Sequence, residues 1–162
     1  MKHKLNHMKR LSSYGTGPKI GLATLPYLII SVTFTVLYPV IFTFPVSAKP
    51  ATLFVGVLLL LVGSVLYLYT SRQLMKGVRE KRLVVTGCYR WSRNPLYACI
   101  TLAIMPGFAL LMNSWLVLLT SVVGYLAFRR LIHGENAELE ASYGEEYRNY
   151  CARTPEFFPW IG

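Results

Sequence analysis

Apolar residues in this chain come in long blocks rather than in amphipathic stripes. Four runs contain no charged residue: Ile20 to Phe44, Ala51 to Thr70, Tyr97 to Met112 and Trp115 to Phe128. Blocks of this kind argue against a soluble fold and for helices that cross a bilayer. The first run, of 25 residues, would rise about 37 Å as a helix, enough to cross the hydrocarbon with tilt. Pro26 and Pro39 are expected to kink it. The third and fourth runs, of 16 and 14 residues, are short, and only Asn113 and Ser114 separate them. They read as a tight helical hairpin whose helices continue into the interface. The expected fold is all-α, a single polytopic membrane domain over residues 1–162. It has four spans at 20–44, 51–70, 97–112 and 115–128, a loop at 71–96, and a tail at 129–162 that carries a further helix.

Charge gives these spans a direction. Sixteen of the seventeen Lys and Arg residues and all seven acidic ones fall on one side of the predicted spans, leaving Lys49 alone on the other. Basic residues accumulate on the cytoplasmic side of membrane proteins. The amino terminus (1–19), the central loop and the tail are therefore expected in the cytoplasm of a multi-pass inner (cytoplasmic) membrane protein. Short outer turns lie around Ser47 and Asn113, and any chemistry takes place at the inner surface. Val46-Ser47-Ala48 resembles a signal cleavage site, but the apolar run before it exceeds the usual 7 to 15 residues.

The net charge of +10 raises the question of nucleic acid. Because the basic residues flank the spans, orientation and anionic headgroups account for them, and no nucleic-acid partner is expected. Cys88, Cys99 and Cys151 lack CxxC spacing and give neither a disulfide framework nor a metal site. The longest soluble stretch, the 34-residue tail from Arg129, is too short for a Rossmann domain. A cofactor would have to be held by loops and helix ends at the membrane surface.

Two segments carry candidate chemistry. On the helix leaving the fourth span, Phe128, Leu131, Ile132, Leu139 and Tyr143 share one face at about 100° per residue, and Glu135 sits in its middle. An acidic side chain on such a stripe costs roughly 2.5–3.5 kcal/mol near the bilayer unless it is paired. Two partners stand open: a ligand cation or hydroxyl, or an internal salt bridge to Arg82, Arg90 or Arg93. His133 points off the stripe and reads as a solvated interfacial residue. In the central loop, Thr86-Gly87 predicts a turn, and Pro95 pushes Asn94 out of the helical region and suits the first turn of the third span. Tyr89, Trp91 and Tyr97 lie beside Arg90 and Arg93. They fit either an ordinary aromatic and basic belt or a site for an adenine ring and a carboxylate. Tyr143, Tyr147 and Tyr150 read as interface anchors, and Phe157, Phe158 and Trp160 as residues pinning the tail to the headgroups.

Taken in order, these segments resemble the isoprenylcysteine carboxyl methyltransferase and phospholipid methyltransferase superfamily of integral membrane methyltransferases. That pattern is Leu-Val-x-x-Gly-x-Tyr-x-x-x-Arg-His-Pro-x-Tyr, a helical hairpin, and a Glu-rich helix closing with Gly-x-x-Tyr-x-x-Tyr and an aromatic-Pro end. The chain supplies Leu83, Val84, Gly87, Tyr89, Arg93, Asn94, Pro95 and Tyr97, then Glu135, Gly144, Tyr147 and Tyr150, then Phe157, Phe158 and Pro159.

The resemblance implies S-adenosyl-L-methionine as cofactor, with Leu83, Val84, Tyr89, Asn94, Pro95, Tyr97 and Glu135 around it. It also implies a lipid or lipid-like acceptor arriving from the bilayer, of the isoprenylcysteine carboxyl or phospholipid amine type. Arg130 and Asn136 are the implied substrate contacts. No catalytic base is identified, and the oligomeric state is not indicated. Asn94 replaces the family's frequent His, Asn136 replaces the second Glu of its Glu-Glu pair, and Leu131 stands where the prenylcysteine enzymes carry an Arg. Two rivals remain, an NADPH-dependent membrane reductase of the steroid-reductase type and a non-catalytic membrane scaffold or assembly protein.

Overall fold

The computed structural model describes residues 16–157. Lys2, Lys4, Lys9 and Arg10 of the charge pattern, and Phe158, Pro159 and Trp160 of the aromatic end, lie outside them. Helix α1 spans Gly17–Leu37, α2 Pro39–Phe42, α3 Lys49–Glu80, α5 Trp115–Tyr143 and α6 Glu145–Arg153. Helix α4 runs over Pro95–Leu111 and has a π-helical segment at Ile100–Ile104. Single 3-10 turns at Val46–Ala48 and Gly87–Arg90 complete the architecture. Among the described residues there is no strand, only one isolated bridge between Thr43 and Ser114.

Three of these helical stretches are long and apolar enough to cross a membrane, at Gly17–Leu37, Val46–Glu80 and Trp115–Tyr143. The protein is a multi-pass, all-helical membrane protein. The third expected span, 97–112, falls on the shorter apolar helix α4, which joins α5 through the expected tight turn. The first expected span is not one kinked helix. Pro39 excludes Tyr38 from helical geometry (φ −130°, ψ 59°), so α1 stops at Leu37 and α2 is a separate turn. Pro26 stays inside α1. In the other direction, α3 and α5 run well past the apolar limits at Thr70 and Phe128. Charged residues mark where a helix leaves the apolar phase, and Arg, Gln, Leu, Met and Lys are good helix formers on either side of that line.

Helices in lipid gain nothing by hiding apolar side chains from water, so they pack through small residues that let backbones approach. The buried positions of α3 are Gly56, Gly63, Thr70 and Gly77, one every seven residues, while Leu53, Phe54, Leu61 and Leu68 are exposed. Gly56 meets Gly107 of α4 so closely that a Cβ on either would lie 3.0 Å from the other's carbonyl oxygen. Polar groups close the same end of the bundle. Asn113, in a left-handed turn (φ 52°), accepts a hydrogen bond from Thr52 Oγ1 at 2.9 Å and donates to the Phe44 carbonyl at 3.0 Å. Ser114 caps α5 by accepting from the Val117 amide and lies 2.8 Å from Thr35 Oγ1.

Helix α1 packs chiefly on α5. At their other end sits the aromatic core, where Phe157 is fully buried with Phe128 and Ile132. Its ring centroid is 5.0 Å from those of both Phe128 and Tyr125. This corrects the expectation for Phe157: it is a core residue and not a headgroup anchor. The tail folds back because several hydrogen bonds, described below, hold it against the central loop.

Candidate functional site

The charged end of the bundle encloses a cavity of about 830 Å³. Its walls come from the first turn of α1, the last turns of α3, the central loop, the start of α4, and the extra-membrane parts of α5 and α6. Leu83, Val84, Tyr89, Asn94, Tyr97, Glu135 and Asn136 all line it. Local geometry explains why they meet. Gly87 (φ 65°) turns the loop, Asn94 leaves helical geometry (φ −126°, ψ 53°), and Pro95 opens α4, so that Leu96, Tyr97 and Ile100 face inward. On α5 the predicted stripe holds: Phe128 and Ile132 are buried in the core, and Leu131, Leu139 and Tyr143 share the cavity wall with Glu135.

Glu135 is half-buried, and the partners of its carboxylate test the salt-bridge reading. Oε2 accepts from the Thr16 backbone amide and from the Tyr97 hydroxyl, each at 3.2 Å. None of the three ion pairs among the described residues includes Glu135. Arg82 pairs with Glu80, Arg90 is exposed and off the cavity wall, and Arg93 has no carboxylate partner among those pairs. The internal salt bridge is therefore overturned. Oε1 of Glu135 accepts no hydrogen bond among the described residues.

The tail forms the cavity's floor. Tyr150 donates to the Tyr89 carbonyl at 2.6 Å, the Arg93 amide donates to the Pro155 carbonyl at 2.9 Å, and Asn94 Nδ2 donates to the Glu156 carbonyl at 2.9 Å. Asn136 holds the same segment, accepting from Tyr147 at 2.8 Å and donating to Glu156 Oε1 at 3.0 Å. Tyr147 and Tyr150 are thus buried latches, which corrects their reading as interface anchors. Burial pushes the phenols of Tyr89, Tyr147 and Tyr150 well above the ordinary tyrosine range, so they stay neutral at physiological pH.

Two expected residues lie outside the lining. Pro95 is buried behind the wall, and Arg130 is exposed away from it. Trp91 is 69% exposed and takes no part. Sequence reasoning missed the wall made by Thr16, Gly17, Pro18 and Lys19, the α3 side chains Tyr67, Leu74, Met75 and Val78, and Gly134 beside Glu135. Met75 and Val78 are also 55% and 47% exposed, so the apolar side of the cavity continues onto the outer surface of α3.

Fold and site together define a multi-pass helical membrane protein with a ligand-sized, mainly apolar chamber at the charged end of its helix bundle. Residues 51–146, from the start of α3 to the start of α6, match the phospholipid methyltransferase family. That span covers more than half of the chain, and the protein belongs to this family. Membership points to methyl transfer by a membrane protein. The chain is also similar to the nickel-cobalt-cadmium resistance protein NccN of Alcaligenes xylosoxydans xylosoxydans. The two are 31% identical over 85 residues, which are 52% of this chain and 39% of NccN. The chain therefore spans about two fifths of that relative's length. No solved structure matches the chain.

Proposed function

We propose that the protein is an integral membrane methyltransferase that uses S-adenosyl-L-methionine and methylates a lipid or lipid-like amphiphile at the cytoplasmic face of the inner membrane. The carrying observation is Glu135. It is a carboxylate without an ion-pair partner among the described residues, oriented by Tyr97 and Thr16, on the wall of a chamber within the usual range of roughly 300–1,000 Å³ for ligand sites. Such a group favours a cationic ligand. The residues present fit the cofactor. Leu83, Val84 and Tyr89 supply apolar and aromatic surface, Asn94 and Tyr97 polar groups, and Glu135 the counter-charge, while Pro95 acts from behind by setting the start of α4.

When bound, the cofactor supplies a methyl group activated by a positively charged sulfur. The chain's own contribution is alignment and exclusion of water, which can supply much of the reduction in barrier. The neutral phenols around the chamber are poor proton acceptors at pH 7, so none is assigned as a general base. The exposed apolar wall at Met75 and Val78 supports an acceptor that arrives from the bilayer, and the charge asymmetry of the spans supports the cytoplasmic face.

Calorimetric titration of S-adenosyl-L-methionine into the detergent-purified protein and its Glu135→Gln variant tests this reading. The wild type should bind at micromolar concentration, and the folded variant should lose at least about tenfold in affinity. Its melting temperature should be unchanged or raised, because a charge has left a half-buried site. No binding by folded wild type in both detergent and lipid nanodiscs would sink the proposal.

A further inference from the structure

A second recess, of about 460 Å³, is walled by Arg129 of α5, the end of α6 and residues 154–156, and it shares only Arg93 with the chamber. Three guanidinium groups from three parts of the fold meet there: Arg93 of the central loop, Arg129 of α5 and Arg153 of α6. One carboxylate stands against them. Glu156 faces Arg129 at 3.6 Å with one oxygen and takes the Asn136 amide with the other. The side chains of Arg129 and Arg153 donate no hydrogen bond among the described residues, and Arg93 Nε, at the back of the recess, is buried without a partner. Positive charge and unmet donors thus outnumber what the chain supplies to meet them, which favours an anion.

The sequence fixes the depth of this recess. Arg129 comes straight after the uncharged run Trp115 to Phe128, where α5 leaves the apolar phase, and lipid headgroups lie at that level. Guanidinium forks match the paired oxygens of a phosphate. A zwitterionic headgroup would bring its own ammonium group among three arginines, whereas a headgroup with net negative charge brings none. We infer that the recess binds the phosphate ester of an anionic lipid. Bridging Arg129 on α5 to Arg153 at the end of α6, the phosphate holds the tail shut beneath the chamber. The two sites are linked because the tail carries the Pro155 and Glu156 carbonyls that accept from the Arg93 amide and from Asn94. What fixes the tail therefore fixes the chamber floor. The lipid in this recess is a regulator and not a methyl acceptor, and its site does not depend on the cofactor reading.

Three probes titrated into the protein in a non-ionic detergent test the site: dioctanoyl phosphatidylglycerol, dioctanoyl phosphatidylcholine and glycerol phosphate. Chymotryptic cleavage after Phe157, whose side chain is fully buried, reports opening of the tail. The anionic lipid should slow cleavage saturably by at least about threefold, and the other two probes should not at the same concentration. Replacing both Arg129→Gln and Arg153→Gln should raise the anionic lipid needed by at least about tenfold. Each protein is compared with its own lipid-free rate, because Arg129 also faces Glu156. Arg148→Gln, which removes an equal charge from a surface pair with Glu140, should respond as wild type does. Should the double variant fail to fold, Arg153→Gln decides, since Arg153 is exposed; it should need about fivefold more lipid, and an unchanged requirement overturns the site. Equal protection by phosphatidylcholine, or a loss in Arg148→Gln as large as in the double variant, also overturns it. Equal protection by glycerol phosphate overturns the lipid as its source and assigns the recess to a soluble phosphate ester. No protection of folded wild type by any probe overturns the proposal.

Discussion

The two ends of this helix bundle are built on opposite rules. At the Asn113 end, α3 and α4 touch through Gly56 and Gly107, and polar side chains stitch the turns together with little space left over. At the Glu135 end, long side chains surround a chamber of about 830 Å³, and one oxygen of the Glu135 carboxylate has no partner among the described residues. The first end gains stability from close approach. The second gives up close packing and keeps groups available for a ligand. A protein in lipid thus anchors its rigidity far from its site, because dispersion and short hydrogen bonds need contact while binding needs room.

Substituting glycine at each end would test the contrast most directly. Gly107→Leu at the tight end meets Leu60 Cγ and the Gly56 carbonyl, which even a Cβ would approach to 2.9 and 3.0 Å. The backbone cannot yield cheaply, and the loss should be upward of about 3 kcal/mol, read as a fall in melting temperature in detergent or failure to recover folded protein. A smaller effect is expected where the tail closes the chamber. Asn94→Ala removes the donor to the Glu156 carbonyl and should weaken the latch by about 1–2 kcal/mol. Proteolysis of the segment after Arg153 should accelerate, with the melting of the spans nearly unchanged. Smallest, and opposite in sign, is Gly134→Ala. Its methyl would meet nothing within 4 Å, so the helix should gain up to about 1 kcal/mol. If Gly134→Ala destabilised as strongly as Gly107→Leu, the chamber would be closed in solution and the contrast would fall.

The sequence made the open end more legible than its chemistry alone would suggest. Glu135 stood out because a lone carboxylate on an apolar helical stripe demands a partner, and that inference needs only one helix. The loop residues Leu83, Val84, Tyr89, Asn94 and Tyr97 came through an ordered motif, and all of them line the cavity. The first turn of α1 and the outer face of α3 were invisible because they reach the chamber through tertiary packing, which leaves no periodic trace. Phe157, Tyr147 and Tyr150 misled for a different reason. An aromatic residue near a membrane surface has the same composition whether it lies among lipid headgroups or is folded back into the protein, and only the hydrogen bonds of the tail decide between them. Likewise, the apolar runs located the spans but not the ends of α3 and α5, since hydropathy reports the solvent around a helix and not its continuation.

The hydrogen bond from the Thr16 amide to Glu135 joins positions 119 residues apart. Its consequence concerns the order in which a ribosome delivers the chain. Of the described helices, α1 is made before α3 and α4, yet its principal neighbour, α5, is made after them. During synthesis α1 must wait in lipid without its partner while α3 and α4 emerge and lock together through their glycines. The chamber is therefore a late product of assembly, formed only once α5 and α6 have joined α1. A chain interrupted before residue 135 would hold a packed pair of helices and no carboxylate to close the site.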